Sequence, residues 1–445
     1  MMPPIPPNAA PVGIALLGCG VVGSGVVRIL REQRELLLNR TGITFDVKHV
    51  VVRDPAKQRD VDAPLSTDAA RAIADPDVKI VVELIGGTTT AGDYIEQALT
   101  LGKPVVTANK SLLATRGHEL FALARANNTC IAFEASCGGG VPIIEAIMKG
   151  LLANRIDALV GIVNGTCNFI LTKMTKQGSS YADALQEAQA AGFAEADPTM
   201  DVTGRDAAQK LALLASLAFN ARVKESDLHI EGIDKLEAAD IHFARQLGYV
   251  IKLLAIAERS TEDRISLRVH PTLVHTGDVL AEVSGSFNAI SVYGNALGHA
   301  LFYGRGAGSM PTASAVVSDL LGVAMGTIPL AFKQLRIFPD TTQPARVLPF
   351  NELASRYYLR LMVTDEPGVM GAVSHILGES GISLSAILQR ESTDDGASVP
   401  IVITTHLATE GPMREAITCI NALPSIAAPA VSLRIIDQPK EFASN

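Results

Sequence analysis

One stretch narrows the folding choices more than any other. Val12–Leu17 is a short apolar run, Gly18-Cys19-Gly20-Val21-Val22-Gly23 follows at once, and a helical pattern then runs to about residue 38. This is G-x-G-x-x-G in strand–turn–helix order. In that setting the glycines allow a tight turn, the approach of a pyrophosphate and close helix–strand packing. The helix N-terminus then offers free N–H groups to the phosphate. Gly18, Gly20 and Gly23 therefore become candidate dinucleotide contacts, and the chain is expected to begin as a doubly wound parallel sheet.

Further βα units support this. Strands are expected over residues 45–52, 79–85, 104–108 and 129–133, with a helix over 91–101. At the end of the second strand an NAD binder places an acid for the ribose hydroxyls. Here stand Arg53, Asp54 and, nearby, Lys57. Arg53 is placed to meet a 2′-phosphate, which points to NADP. The adjacent Asp54 keeps NAD open, and a plain solvated charge is the alternative reading. Thr88, in Gly86-Gly87-Thr88-Thr89-Thr90, and Lys110 follow the third and fourth strands, where ligands of such sheets sit. The fifth strand runs into Glu134-Ala135-Ser136-Cys137-Gly138-Gly139-Gly140-Val141. This loop has the oxygen donors a hard cation prefers, yet its residues alone favour a flexible turn.

The chain's chemistry concentrates in residues 194–219. Glu195, Asp197, Asp201 and Asp206 precede a helix that is apolar almost all round. Asp206 and Lys210 are four apart and share a face, which continues into Leu213 and Leu217. A helix apolar on every side is normally buried, and a lysine there needs a partner or a task. An ordinary surface ion pair is the competing reading. Upstream, Asn164-Gly165-Thr166-Cys167-Asn168 reads as a polar turn able to hold an amino-acid head group or simply to turn the chain. A second glycine loop, Gly304-Arg305-Gly306-Ala307-Gly308, precedes a helix over 311–325, which reads either as the chain returning to the cofactor or as a simple tight turn.

Residues 354–437 alternate as βαββαβ, the ferredoxin-like order, with Asp394-Asp395-Gly396 as a hairpin signal. A Pro- and Thr-containing segment over 334–353 reads as a linker. The divisions expected are a Pro-rich disordered lead (1–11), a nucleotide-binding domain (12–140), an α+β catalytic and dimerisation domain (141–340), a linker (341–353) and the tail domain (354–437).

Composition excludes some partners. A net charge of −8 argues against nucleic acid and anionic membrane. Five cysteines without metal-type spacing suggest reduced thiols in a cytoplasm.

Together these motifs resemble homoserine dehydrogenase of the bacterial type with a C-terminal ACT domain. The resemblance spans nearly the whole chain beyond the lead. It is carried by the first glycine turn, Thr107-Ala108-Asn109-Lys110, Asn164-Gly165-Thr166-Cys167-Asn168 and, most specifically, Asp197-Pro198-Thr199…Asp201…Gly204…Asp206…Lys210-Leu211. It implies reversible NAD(P)H-dependent reduction of L-aspartate 4-semialdehyde to L-homoserine, in threonine, methionine and isoleucine biosynthesis. Lys210 would be the proton donor, oriented by Asp206. Glu195, Asp201, Asp206, Gly165 and Thr166 would hold substrate, with Lys110 between substrate and cofactor. Gly20, Val21, Val22, Arg53, Thr88 and Gly308 would line the cofactor. A sodium ion would sit on Glu134 and backbone oxygens of Cys137, Gly139 and Val141. The resemblance further implies a homodimer or homotetramer and L-threonine as effector of the tail. Cys167 departs from the family's Asn-Gly-Thr-Thr-Asn run and removes a hydroxyl. Two other readings remain: a different amino-acid or semialdehyde dehydrogenase, and a non-catalytic sensor of nucleotide and amino acid.

Overall fold

The computed structural model describes residues 10–260, 264–389, 398–437 and 439. Most of the expected lead and the Asp394-Asp395-Gly396 signal lie outside the described residues.

β1 (Val12–Leu17), β2 (Phe45–Val51), β3 (Leu65–Ser66), β4 (Ile80–Glu83), β5 (Val105–Thr107) and β6 (Ile131–Ala132) form one parallel sheet in the order β3-β2-β1-β4-β5-β6. Helices α1 (Val21–Glu32), α2 (Arg34–Thr41), α3 (Ala69–Ala74), α4 (Thr90–Thr100) and α5 (Lys110–Ala126) connect its strands. Every residue of β1 is buried. A parallel strand covered by helices on both faces has no wet side, so it reads as an unbroken apolar run. Strand order reverses between β1 and β4, which opens a crevice beyond their carboxyl ends. The helix expected up to residue 38 breaks at Gln33. Beyond that point α2 buries only Leu37, so little apolar contact holds it in line with α1.

The second unit starts with α6 (Ile143–Glu145), which continues as a π turn (Ala146–Gly150). It goes on through β7 (Ile156–Ile162), α7 (Gly165–Gln177), α8 (Tyr181–Ala190), α9 (Thr199–Val202) and α10 (Arg205–Phe219). β8 (His229–Ile230), α11 (Ala238–Gln246), β9 (Tyr249–Arg259), β10 (Ile265–His275), β11 (Phe287–Gly294) and β12 (Gly298–Arg305) follow. The sequence pattern does not single out β9. From Ile251 to Ala257 it is apolar at all but Lys252, and periodicity cannot separate such a run from a buried helix. α12 (Ser309–Ala324) and α13 (Thr327–Gln334) close the unit, and α12 folds back onto α1. There Ser309 Oγ donates to the Val21 carbonyl at 2.6 Å. Gly25 keeps the two helices close, since a Cβ on it would stand 2.9 Å from Ala313 Cβ. No single helix among the described residues is long and apolar enough to cross a membrane.

The tail contains β13 (Ala354–Thr364), α14 (Val369–Glu379), β14 (Leu384–Gln389), β15 (Ser398–Thr405), β16 (Ala408–Thr409), α15 (Glu410–Asn421) and β17 (Ile426–Ile435). Its sheet does not stand apart. β17 pairs in parallel with β10, Thr272 opposite Arg434 and Leu273 opposite Ile435. One sheet therefore runs β12-β11-β7-β9-β10-β17-β13-β15-β14. The segment expected to be a linker is zipped onto the second unit. Arg222 N–H donates to the Gln343 carbonyl at 2.7 Å and Ile265 N–H to the Arg346 carbonyl at 2.8 Å. Buried ion pairs fasten the join. Arg434 of the tail meets Glu231 of the second unit at 2.7 Å and is held by the tail's own Glu410 at 2.6 Å, and Arg360 meets buried Asp240 at 2.7 Å and the exposed Glu237 at 2.8 Å. Such buried charges are tolerable only while both partners are in place.

Candidate active site

The first glycine turn sits at the mouth of the crevice. Gly18 has φ of +99°, and a Cβ there would stand 2.6 Å from the Leu84 carbonyl oxygen, so a side chain is excluded on both counts. Around Gly20 no atom lies within 4 Å of where a Cβ would be, which leaves that backbone open to a phosphate. Val21, the first residue of α1, is 72% exposed, and Val22 is half-buried behind it. Open amides at a helix N-terminus beside bare backbone fit a pyrophosphate. Arg53 and Thr88 are exposed at the ends of β2 and β4. Gly308 caps α12 beside the same turn, through Ser309 and Val21.

Two residues that the sequence did not flag shape this mouth. Arg59 donates from Nε to the Cys19 carbonyl at 3.2 Å and from Nη1 to the Asp54 and Lys57 carbonyls at 2.8 Å. It ties the loop after β2 to the glycine turn. Glu83, fully buried at the end of β4, accepts from the Ile85 and Gly86 amides at 2.8 and 2.9 Å and from Thr107 Oγ1 at 2.6 Å. Asn109 caps α5 and donates to the Gly87 carbonyl at 2.7 Å. The loops after β4 and β5 are thereby held together, and Lys110 is aimed out of them.

Lys110 reaches the second unit. Its Nζ stands 3.2 Å from Asp206 Oδ1, while Lys210 Nζ stands 2.7 Å from Asp206 Oδ2. Lys210 also donates to the Val163 carbonyl at 2.8 Å, and its side chain is 12% exposed. An ammonium has three hydrogens. Two are engaged by Val163 and Asp206, which leaves one for a ligand. α10 places the pair because Gly204 lets the chain turn sharply into it in the left-handed region, and because the helix is buried on nearly every side.

Burial by itself pushes the Asp206 carboxyl up, but Lys210, Lys110 and its hydrogen bonds outweigh it and bring it down to about 2. Burial pushes the Lys210 ammonium down, and Asp206 more than offsets it, so Lys210 is raised above the ordinary lysine value. Asp201 is raised, chiefly by burial. The pair thus stays charged at neutral pH, in a half-dry cleft between the two units.

Other expected residues divide. Asp201 joins the cluster through Asn164, which donates to it at 2.7 Å. The run expected to be a polar turn opens α7 instead, with Asn164 as its cap and Gly165 as its first residue. Thr166 Oγ1 donates to the Phe193 carbonyl at 2.6 Å, holding the loop that carries Glu195. Glu195 is exposed on that loop, and among the described residues no hydrogen bond or ion pair reaches its carboxylate. Cys167 contributes its backbone N–H to Asn164 and its thiol to the Asp201 carbonyl at 3.2 Å. All five cysteines are free.

The Glu134 carboxylate accepts from the Ile144 and Glu145 amides at 2.9 and 2.6 Å, and its own N–H donates to Asp319 at 2.9 Å. Burial raises Glu134 to about 7 and Asp319 well above its usual range. Beside it, Gly139 in the left-handed region packs against Gly306, where a Cβ would collide with the carbonyl. A buried carboxylate next to a glycine loop offers oxygen donors of the kind hard cations take.

Comparison with known proteins agrees along the whole chain. Residues 18–134 match the family profile described as "Homoserine dehydrogenase, NAD binding domain", residues 142–321 that described as "Homoserine dehydrogenase", and residues 357–425 that of the ACT domain. The homoserine dehydrogenase of Pseudomonas aeruginosa is 43% identical over 434 residues, which is 96% of this chain and 99% of the relative. The crystal structure of a homoserine dehydrogenase from Thiobacillus denitrificans superposes with a TM-score of 0.89 at 41% identity, over 96% of this chain and 99% of that one. A hyperthermophilic archaeal homoserine dehydrogenase mutant in complex with NADPH is 26% identical, with a TM-score of 0.59, over 70% of this chain and 97% of that one. Glycine turn, buried Asp206–Lys210 pair and relatives of nearly full length converge, and the chain belongs to the homoserine dehydrogenase family, NAD(P)-dependent oxidoreductases, here with a C-terminal ACT domain.

Proposed function

We propose that the chain reduces L-aspartate 4-semialdehyde to L-homoserine, and the reverse, with Lys210 as the proton donor. The observation that carries this is Asp206, buried between two ammonium groups supplied by different units. When bound, the nicotinamide supplies a hydride to the aldehyde carbon. Negative charge then grows on the aldehyde oxygen. The free N–H of Lys210 stabilises that charge and gives its proton, leaving a neutral amine that water reprotonates. In the oxidative direction the neutral amine takes the hydroxyl proton. Asp206 keeps the ammonium charged between turnovers, and Lys110 closes the gap between cofactor and substrate. Glu195 and Asp201, with the α7 N-terminus at Gly165 and Thr166, present carboxylates and amides to the two ends of an amino-acid head group.

Arg53, with Lys57 near it, favours NADP over NAD, and Gly18, Gly20, Val21, Val22, Gly23, Thr88 and Gly308 line its path. Glu134 with the carbonyls of Cys137, Gly139 and Val141 would hold sodium, which would neutralise the buried charge of Glu134. In this reading residues 12–140 with α12 form the cofactor unit, 141–340 the catalytic and dimerisation unit, and 354–437 a tail that responds to L-threonine. The protein works in the cytoplasm as a homodimer or homotetramer. Leu301 and Tyr303, exposed on the edge strand β12, suit a subunit contact.

One steady-state assay tests most of this: homoserine oxidation with NADP and with NAD, with and without millimolar threonine. Turnover of homoserine well above that of other hydroxy amino acids is expected, faster with NADP. Equal turnover of unrelated hydroxy acids would sink the substrate, and indifference to threonine would leave the tail an assembly role.

A further inference from the structure

We infer that Asn164 is a positioning residue for this reaction, an amide clamp that sets the Asp206–Lys210 pair. The assignment rests on the reading of Lys210 as proton donor. Asn164 is 4% exposed, and each of its polar atoms is used. Nδ2 donates one hydrogen to Asp201 Oδ1 at 2.7 Å and the other to Asp206 Oδ2 at 2.8 Å. Oδ1 accepts from the Cys167 N–H at 2.8 Å and caps α7. A primary amide is the neutral group that offers two hydrogens and an acceptor at once. Here it joins three elements, since Asp201 lies on α9, Asp206 on α10 and the cap on α7.

The consequence lies at one oxygen. Asp206 Oδ2 receives both Asn164 Nδ2 and Lys210 Nζ. Lys210 is held from its other side by the carbonyl of Val163, the residue just before Asn164. The direction of the remaining ammonium hydrogen is therefore fixed by a two-residue stretch at the end of β7. Without the amide, Asp201 and Asp206 repel across an unbridged gap, Asp206 swings, and Lys210 follows it away from the substrate oxygen.

Asn164→Ser and Asn164→Thr, neutral at this position between two carboxylates, separate this from a capping role. Both residues cap helices well, and neither can give two hydrogens to two carboxylates. Each variant is compared with Lys210→Met for kcat, KM for homoserine, NADPH affinity by fluorescence titration and melting temperature. A misplacement of this kind costs on the order of 10²-fold in kcat, with KM and NADPH affinity moving far less. Wild-type kcat in both Asn164 variants beside an inactive Lys210→Met overturns the clamp alone. Wild-type kcat in all three overturns the reading of the site as well. A loss of kcat that comes only together with lower melting temperature and weaker NADPH binding makes Asn164 a structural cap and overturns the clamp too.

Discussion

Lys110 and Lys210 arise from different units of the fold, yet both ammonium groups lean on the single carboxylate of Asp206, at 3.2 and 2.7 Å. The lysine of the nucleotide-binding unit and the lysine of α10 are thus held together by one buried anion.

Lys210→Arg keeps the charge but not the chemistry. A guanidinium does not release its proton in the working range. Turnover should fall by about 10²–10⁴-fold, the usual share of general acid–base catalysis, while NADPH titration gives an unchanged affinity. A variant with near-normal kcat would place the acid elsewhere.

Asp206→Asn removes the only carboxylate that Lys210 touches among the described residues, and leaves a buried ammonium facing a neutral amide. Breaking a buried pair from one side costs about 3–5 kcal/mol, measurable by urea unfolding. The acid limb should change as well. Because the Asp206 carboxyl sits at about 2 in the folded state against an ordinary 3.8, its contribution is complete above about pH 4 and lost as pH falls through about 2. Acid unfolding of the variant should lack that component.

The pH dependence of the two directions should differ. Lys210 is raised above 10.5 in the folded protein, through Asp206 acting against burial. With Lys210 as the proposed proton donor, reduction would use the protonated amine and should stay level through neutral and mildly alkaline pH. Oxidation would use the neutral amine and should climb as pH rises. In Asp206→Asn the climb should start at lower pH, because the ammonium has lost its counter-charge and burial is no longer opposed. Identical profiles for the two proteins would show that Asp206 does not tune Lys210.

The tail is welded on rather than tethered. Arg434→Met would leave Glu410 buried without its counter-charge and take from Glu231 its partner across the join, and calorimetry should show a loss of about 3–5 kcal/mol. A chain ending at Leu353 should keep its active site but melt earlier, since β10 loses its neighbour β17 and Glu231 loses Arg434. A truncated chain that melts with the full one would mean the join contributes nothing.

Much of this was legible in the residues, wherever the cause is local. The turn at Gly18–Gly23 follows from backbone sterics, the all-apolar β1 from burial on both faces, and the shared face of Asp206 and Lys210 from helical spacing. The βαββαβ order of the tail shows in its alternation and turns. Some local signals misled: Asn164–Asn168 has turn composition, but Asn164 caps a helix that the sheet behind it stabilises, and the segment over 334–353 has linker composition but finds backbone partners at Arg222 and Ile265.

The sequence by itself determined the glycine turn of the nucleotide-binding fold, the shared helical face of Asp206 and Lys210 and the order of units, because each depends on neighbours a few residues apart. Only the tertiary structure decided that Lys110 meets Asp206, that Arg59 braces the glycine turn, that Asn164 bridges two carboxylates, and that β17 completes the sheet of the second unit. Those contacts join residues far apart in the chain, and charge or amide groups carry no mark of their eventual partner until packing brings the two together and expels the water between them.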